Sequence, residues 1–337
     1  MELLSNLLTN SRLSDARACQ RLHYIKYLLG YRSVRERREL RVGHLVHAGL
    51  EAWWLAWRLG GSDERLDLAL AAVAGEEVDP YDRALVEVLL EGYHFRWSED
   101  PSEQYETLGA EEEFRAALRN PKTGRPSPIW EIAGKLDVRT RDLNDGLPKI
   151  VEHKTAASDI SPGSDYLKRL RMDSQISLYF DGGLALGEQP ATVVYDVLKK
   201  PGIRPLKATP IEARKYNKKT GELYANQRDH DETPEEFKDR LRGYIAERPN
   251  EIYVRSEVVR LERELEEARH DIWQVATQVR ESIKANRFPR NSDSCWRYGS
   301  LCPFFGVCAG EASLDDPTLY VKVSNVHPEL SEVNIGQ

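Results

Sequence analysis

The sequence predicts an α/β fold in which a small mixed sheet is flanked by helices, and three observations carry that prediction. Between 130 and 154, apolar and charged residues alternate on both sides of a turn-like DLNDGLP, which reads as a β-hairpin. ATVVYDVLKKP, 191–201, is a nearly continuous apolar run, the pattern of a strand buried on both faces. Two long stretches, 38–59 and 261–285, repeat apolar residues at helical spacing and supply amphipathic helices to cover the sheet.

The N-terminal elements come first. Residues 11–30 read as one helix, entered at Ser11 or Ser14 and carrying Cys19, with Arg21 and Tyr24 available to phosphate or to the surface. Between Arg12 and Arg41 nine Arg or Lys residues stand against three acids, so this end is either a basic track on an otherwise acidic body or a solvated helix face. The net charge of -7 argues against nucleic acid as a partner unless such a local track exists.

In the helix 38–59, Val42, Leu45, Val46, Gly49, Leu50, Trp53, Trp54 and Trp57 form one stripe. At about 100° per residue from Val42, His47 falls at about 140°, beside Trp54, while His44 falls at about 200° on the opposite side. His47 is therefore the histidine that can lean into a cleft or pack on Trp54, and the tryptophans read as core. Helices follow at 62–76 and 80–97, the second opened by Asp79 and Pro80. YETLGAEEEFRAALRN then turns extended, and Glu113 is its candidate for an extra acid facing the hairpin.

The hairpin carries the chemistry. Side chains two apart on a strand share a face, so Glu152 and Lys154 point one way and His153 the other, with Asp137 on the neighbouring strand in reach. Two converging carboxylates repel unless a cation lies between them, and hard oxygen donors suit Mg²⁺ or Mn²⁺. A lysine beside them can orient a water or neutralise a phosphate. A solvated, charged hairpin is the alternative.

Beyond Thr155 a polar turn leads to a helix at 165–186, where Gln175 and Tyr179 share a face. After the strand 191–201, with Lys199 and Lys200 at its end, a polar excursion reads as a hairpin arm over a substrate groove. A helix at 233–247, a strand at 251–259 and the long helix 261–285 follow. On this last helix Leu265, Ile272, Val275 and Val279 lie in the apolar stripe. Residues 311–337 read as a meandering tail, and no internal repeat is present.

The four cysteines are unevenly placed: Cys19 near the start, then Cys295, Cys302 and Cys308 within 14 residues. That grouping suggests a metal centre whose fourth ligand is Cys19, with disulfides as the second reading. Such a centre staples the first helix to the last loop. No stretch approaches the roughly 18 apolar residues of a membrane span, and the N-terminus lacks a signal-peptide layout, which places the protein in the cytoplasm. No GxxxxGK[ST] occurs, so a motor is not expected.

Taken together, Asp137, Glu152 and Lys154 resemble the signature of the PD-(D/E)XK nuclease superfamily. Gly134 and Asp137, then Glu152, Lys154 and Thr155, then Gln175 and Tyr179, look like the GxxD, ExKT and QxxxY blocks of its RecB-type branch, and Gly43 and His47 match an upstream GxxxH. The resemblance implies a restriction-endonuclease-like core and a phosphodiester hydrolase. His47, Asp137, Glu152 and the His153 carbonyl would hold one or two divalent ions, Lys154 would orient the nucleophile, and Gln175 and Tyr179 would line the site. The cysteine spacing C-x6-C-x5-C is similar to that of iron-sulfur nucleases of the AddB and CRISPR-associated exonuclease type, which implies a 4Fe-4S cluster held by Cys19, Cys295, Cys302 and Cys308, with zinc as the alternative.

The domain reading is an N-terminal segment 1–37, a nuclease domain 38–290 with a helical insertion at about 60–100, a cluster-binding loop 291–312 and a tail 313–337. The expected function is an exonuclease on single-stranded DNA or DNA ends, with recombination, repair or CRISPR proteins as partners and no membrane. The rivals are a non-catalytic Fe-S nucleic-acid-binding protein and a redox scaffold.

Overall fold

A computed structural model describes residues 5–35, 38–58, 64–100, 104–297 and 299–330. The expected boundary at 37, the start of the 62–76 helix, the side chain of Trp57 and the last seven residues of the tail lie outside the described residues.

In chain order, β1 (Leu7–Leu8) leads to α1 (Asn10–Ala18), α2 (Gln20–His23), a π-helical turn Tyr24–Leu28 and β2 (Tyr31–Ser33). The helical stretch expected at 11–30 is thus broken. Thr9 caps α1 by accepting from the Arg12 N–H at 3.3 Å, and Cys19 interrupts the helix with extended dihedrals of -163° and 118°. Next come α3 (Arg38–Arg58), α4 (Arg65–Ala74) and α5 (Pro80–Trp97), the last capped by Asp79 as the sequence indicates.

The sheet begins with β3 (Tyr105–Arg119), β4 (Pro126–Asp142) and β5 (Pro148–Ala156). The chain crosses over through α6 (Asp165–Leu170) and α7 (Ser174–Ala185) to β6 (Thr192–Lys199), which runs parallel to β5. Asp173 separates the two helices and caps α7 by accepting from the Gln175 N–H at 2.9 Å. After an irregular stretch come α8 (Pro234–Ala246), α9 (Pro249–Ile252), β7 (Tyr253–Val258) and α10 (Glu262–Ala285). The C-terminal part holds β8 (Trp296–Arg297), β9 (Ser300–Leu301), α11 (Phe305–Ala309) and β10 (Tyr320–Lys322).

The mixed sheet and its flanking helices agree with the predicted α/β class. Among the described residues six strands form the sheet, in the order β1-β4-β5-β6-β7 with β3 on the other edge of β4. One core joins α3, α4, α5 and α8 to Val138, Val151, Val194 and Leu198. A second, on the opposite face, gathers Ile176 and Phe180 of α7 with Ile150, Val193 and Val197. Trp53 and Trp54 are buried in the first core, as expected of a packing role.

The edge of β4 that meets β5 is divided. β5 pairs with Val138 to Arg141, whereas the short β1 pairs with Glu131 and Ile132. Between these two pairings the strands part, and Asp137 stands at the fork.

The excursion after β6 closes on itself through the Tyr216–Leu223 bridge and backbone bonds such as Thr209 N–H to the Arg228 carbonyl, and is tied back through buried Glu232 to Arg240 on α8 and Tyr81 on α5. Two expectations are corrected. The tail is not loose throughout, because β10 pairs antiparallel with β2. The described basic residues between 12 and 41 divide: Arg17, Arg35, Arg38 and Arg41 are exposed, whereas three others are tied into the fold. Arg12 is fully buried, donating to the carbonyls of Ser5 and Leu7, while Lys26 pairs with Asp15 and Arg32 donates to the carbonyls of Lys26 and Val326. Their donors are spent on backbone oxygens and acids that the sequence does not show as neighbours.

Candidate active site

Asp137, Glu152 and Lys154 converge at the fork between β4 and β5. Ladder pairing stops at Val138 with Val151, and beyond it the His153 N–H donates to Asp137 Oδ2 at 2.8 Å. In an extended strand the N–H and C=O of one residue point to the same edge, so the His153 carbonyl opens toward the same gap. Glu152 and Lys154 share the opposite phase, and Lys154 Nζ lies 2.5 Å from Glu152 Oε1. Lys154 also donates to Gln175 Oε1 at 2.9 Å, and Gln175 Nε2 donates to the Tyr179 hydroxyl at 2.5 Å. The α7 pair, four residues apart, therefore extends one hydrogen-bonded chain away from the lysine.

His47 reaches the fork from α3, with Nδ1 3.6 Å from Asp137 Oδ2, while His44 is exposed. Gly43, one turn earlier, closes α3 onto the site: a β-carbon there would lie 3.3 Å from Thr155 Oγ1. Gly134 serves a different purpose. A β-carbon at Gly134 would lie 2.8 Å from the Phe114 ring, and one at Gly182 of α7 would lie 2.6 Å from it, so the two glycines make room for one phenylalanine.

Burial and the charge of Glu152, with Glu111 adding to them, push Asp137 well above the usual carboxylate range despite the pull of Lys154. Burial alone would lower Lys154, but Glu152 and Asp137 outweigh it and hold the amine above its ordinary value, so it remains an ammonium. Burial, then His153 and Lys154, lower His47 to about 3, which leaves a neutral imidazole with a free lone pair. Tyr179 is raised by burial and the two acids and keeps its proton.

This donor set fits a divalent cation. Glu152 is 1 % exposed, and its Oε2 has no hydrogen-bond partner. A buried carboxylate oxygen without a partner is costly, and a cation satisfies it. The sequence also missed an acid. Glu111 rather than Glu113 joins His47 and Asp137, the ligand atoms of the three lying within 4.8 Å of one another. Glu111 adopts φ 51° and lies between the pairs Ala110–Val138 and Glu112–Leu136; the buried phase of β3 changes earlier, at the register shift between Thr107 and Gly109. An alternation count does not carry across such a shift.

The His153 ring lies on the other face. Its Nδ1 is 3.5 Å from Asp196 Oδ2, and the same carboxylate accepts from Tyr93 at 2.6 Å and from Arg255 at 3.2 Å.

The four cysteines are free thiols, with Cys19 in the helix break, Cys295 and Cys302 flanking the small hairpin of β8 and β9, and Cys308 in α11. The Cys302 N–H donates to the Cys295 carbonyl at 2.7 Å. Burial raises Cys302, and the charges of Cys308, Cys19 and Cys295 raise it further. Arg21 and Tyr24 face this region and line a cavity beside Cys308. Arg21 Nε donates to the Phe288 carbonyl at 3.0 Å, and Tyr24 stacks on the Phe288 ring at 4.1 Å. Asn291 reaches the Ala18 carbonyl at 2.8 Å.

A family model described as the PD-(D/E)XK nuclease superfamily matches residues 8–309. Two solved structures resemble the chain at 12 % identity. That of SSO0001 has a TM-score of 0.37, with 92 % of this chain and 89 % of the other covered. That of a provisionally assigned exonuclease from Eubacterium rectale has a TM-score of 0.48, with 93 % and 90 % covered. Among curated proteins no match is found.

Proposed function

The chain belongs to the PD-(D/E)XK nuclease superfamily, and from that premise we propose that it is a Mg²⁺- or Mn²⁺-dependent deoxyribonuclease of the RecB-type branch. One observation carries the assignment of residues: Asp137 and Glu152 meet beside the ammonium of Lys154, with one Glu152 oxygen buried and unpartnered. Asp137, Glu152, the His153 carbonyl and neutral His47 would hold one or two divalent ions. When bound, such an ion supplies Lewis acidity toward the scissile phosphate and the attacking water.

The chain's own groups do the rest. Lys154, fixed as a cation, donates to the water or the phosphate and orients it rather than acting as a base. Gln175 holds the amine in place, and Tyr179 holds Gln175. Asp137 is aimed by the His153 N–H.

The substrate we assign is single-stranded DNA or DNA with free ends, degraded as an exonuclease in the cytoplasm, in recombination, repair or CRISPR-type processing. We further assign a 4Fe-4S cluster to Cys19, Cys295, Cys302 and Cys308. Its support is that the charges of the other three thiols act on Cys302; zinc is the alternative.

The test is degradation of end-labelled single-stranded DNA with Mg²⁺ or Mn²⁺. Lys154→Ala should lose roughly 10²- to 10³-fold in kcat, and chelator should abolish activity. Equal activity in Lys154→Ala removes the catalytic assignment and leaves a nucleic-acid binder. An absorption shoulder near roughly 400 nm in anaerobically purified protein marks the cluster; a colourless, zinc-containing sample refutes it.

A further inference from the structure

We propose that the segment between β6 and α8 is an arm that grips one unpaired DNA strand outside the active site. Lys215, Lys218 and Lys219 hold its phosphates, and Tyr216 and Tyr224 stack on its bases. This rests on the nuclease reading above for the path of the strand.

The charge of the segment is opposite to that of the chain. From Lys199 to Arg228 nine Lys or Arg stand against two Glu, in a chain whose net charge is -7. The acids that follow take two of these cations, Asp231 pairing with Lys207 and Glu236 with Arg228. Arg214 is tied to the carbonyls of Thr209 and Asp229. Lys215, Lys218 and Lys219 are exposed, and none of them has an acid partner among the described residues.

The tip of the arm is a closed turn. The Asn217 N–H donates to the Glu222 carbonyl and the Gly221 N–H to the Asn217 carbonyl, both at 2.8 Å, and Asn217 Oδ1 accepts from the Lys219 N–H at 2.9 Å. Gly221 supplies the φ of 74° that the turn needs. Below it Tyr216 pairs with Leu223, and the Tyr224 N–H donates to the Lys215 carbonyl at 3.2 Å. Lys218 and Lys219 are thus fixed in the turn while the flanking rings of Tyr216 and Tyr224 stay 54 % and 48 % exposed. Cations that track a backbone beside rings open to bases are the parts of a single-strand platform.

The arm also starts at the right place. β6 runs parallel to β5, Lys199 lies opposite Ala156, and the Lys200 N–H donates to the Ala156 carbonyl at 2.7 Å. The chain therefore leaves the sheet at the strand ends that follow Lys154, and a DNA strand seated at the fork can run past this root toward the tip. Buried Glu232 fixes the far end, accepting from the Leu206 N–H at 2.8 Å and from Arg240 at 2.6 Å.

The test measures fluorescence anisotropy of a labelled oligothymidine, and of the same strand paired with oligoadenine, on full-length protein in chelator over a range of salt. Combining Lys215→Gln, Lys218→Gln and Lys219→Gln should reduce the slope of log affinity against log salt by about 2, at about 0.7 per phosphate of a single strand. Tyr216→Ala with Tyr224→Ala should weaken the single strand about tenfold or more and leave the duplex unchanged, because paired bases offer no free face. With Mn²⁺ both variants should hydrolyse bis-p-nitrophenyl phosphate, too small to reach the arm, at the wild-type rate, while KM for the strand rises and kcat holds.

Wild-type affinity and salt slope in the lysine variant overturn the arm and leave the active site untouched. Equal losses on strand and duplex in the tyrosine variant overturn the stacking. A wild type that hydrolyses neither substrate sinks the nuclease reading instead, and the anisotropy, which needs no catalysis, still decides the arm.

Discussion

His153 and Asp196 face each other across the β5–β6 ladder, with the imidazole Nδ1 3.5 Å from the carboxylate, on the opposite side of the strand from Glu152 and Lys154. The strand that presents the two charged site residues is thus gripped from behind by a buried carboxylate.

Although burial raises the Asp196 pKa, Arg255, His153 and Tyr93 outweigh it and lower it to about 2. A depressed carboxylate stabilises the fold above its unfolded pKa, and that stability is lost as pH falls from about 4 through 2. The shift from 3.8 to about 2 is worth on the order of 2 kcal/mol. Asp196→Asn should flatten the acid limb of unfolding. At pH 7 it should cost about 3–5 kcal/mol by removing the buried negative charge that faces Arg255, with partial recovery in Asp196→Asn with Arg255→Met, read by urea unfolding.

His23 works in the same direction, over a higher pH range. It is fully buried and accepts from Arg12 Nε at 3.1 Å; burial and the charges of Arg12 and Lys26 lower it to about 3. The unfolded chain therefore binds a proton below about pH 6.5 that the folded chain refuses, and stability falls as pH drops from there. Between pH 7 and 5 the loss is about 2 kcal/mol. His23→Gln, which can still accept from Arg12, should lose less over the same interval in urea titrations.

How far the sequence could be read follows from which signals are local. Glu152 and Lys154 share a face because strand periodicity says so, and Gln175 and Tyr179 because helix periodicity does. Glu111 was hidden because β3 shifts register between Thr107 and Gly109, and an alternation count does not carry across the shift. The break at Cys19 carries no glycine or proline to announce it, and β1 and β10, two and three residues long, are too short to show any period. Arg12 looks like a surface cation until the carbonyls it serves are folded around it.

Phe114 offers a test of packing at a helix glycine. Alanine in place of Gly182 should gain about 1 kcal/mol of helix propensity, but its β-carbon would lie 2.6 Å from the ring. Overpacking of this kind costs about 1–3 kcal/mol, so Gly182→Ala should be net destabilising. Adding Phe114→Leu should return part of that loss in a double-mutant cycle.

Gln175 holds Lys154 without being charged itself. Gln175→Ala should lower kcat about 10- to 100-fold, the value of one hydrogen bond to a charged group, and leave Mn²⁺ binding unchanged. A loss of metal binding in this variant would show that the residue supports the acids rather than the amine.

The pairing of Tyr320–Lys322 with Tyr31–Ser33 has a consequence for biosynthesis. On the ribosome the first strand of that pair emerges almost three hundred residues before its mate, and the segment around Cys19 waits equally long for Phe288 and Asn291. The sheet can assemble during translation, but the ends can only be stitched together after most of the chain has been made. A nascent polypeptide stalled before Tyr320 should remain open to proteases at its leading end, whatever the state of the lobe behind it.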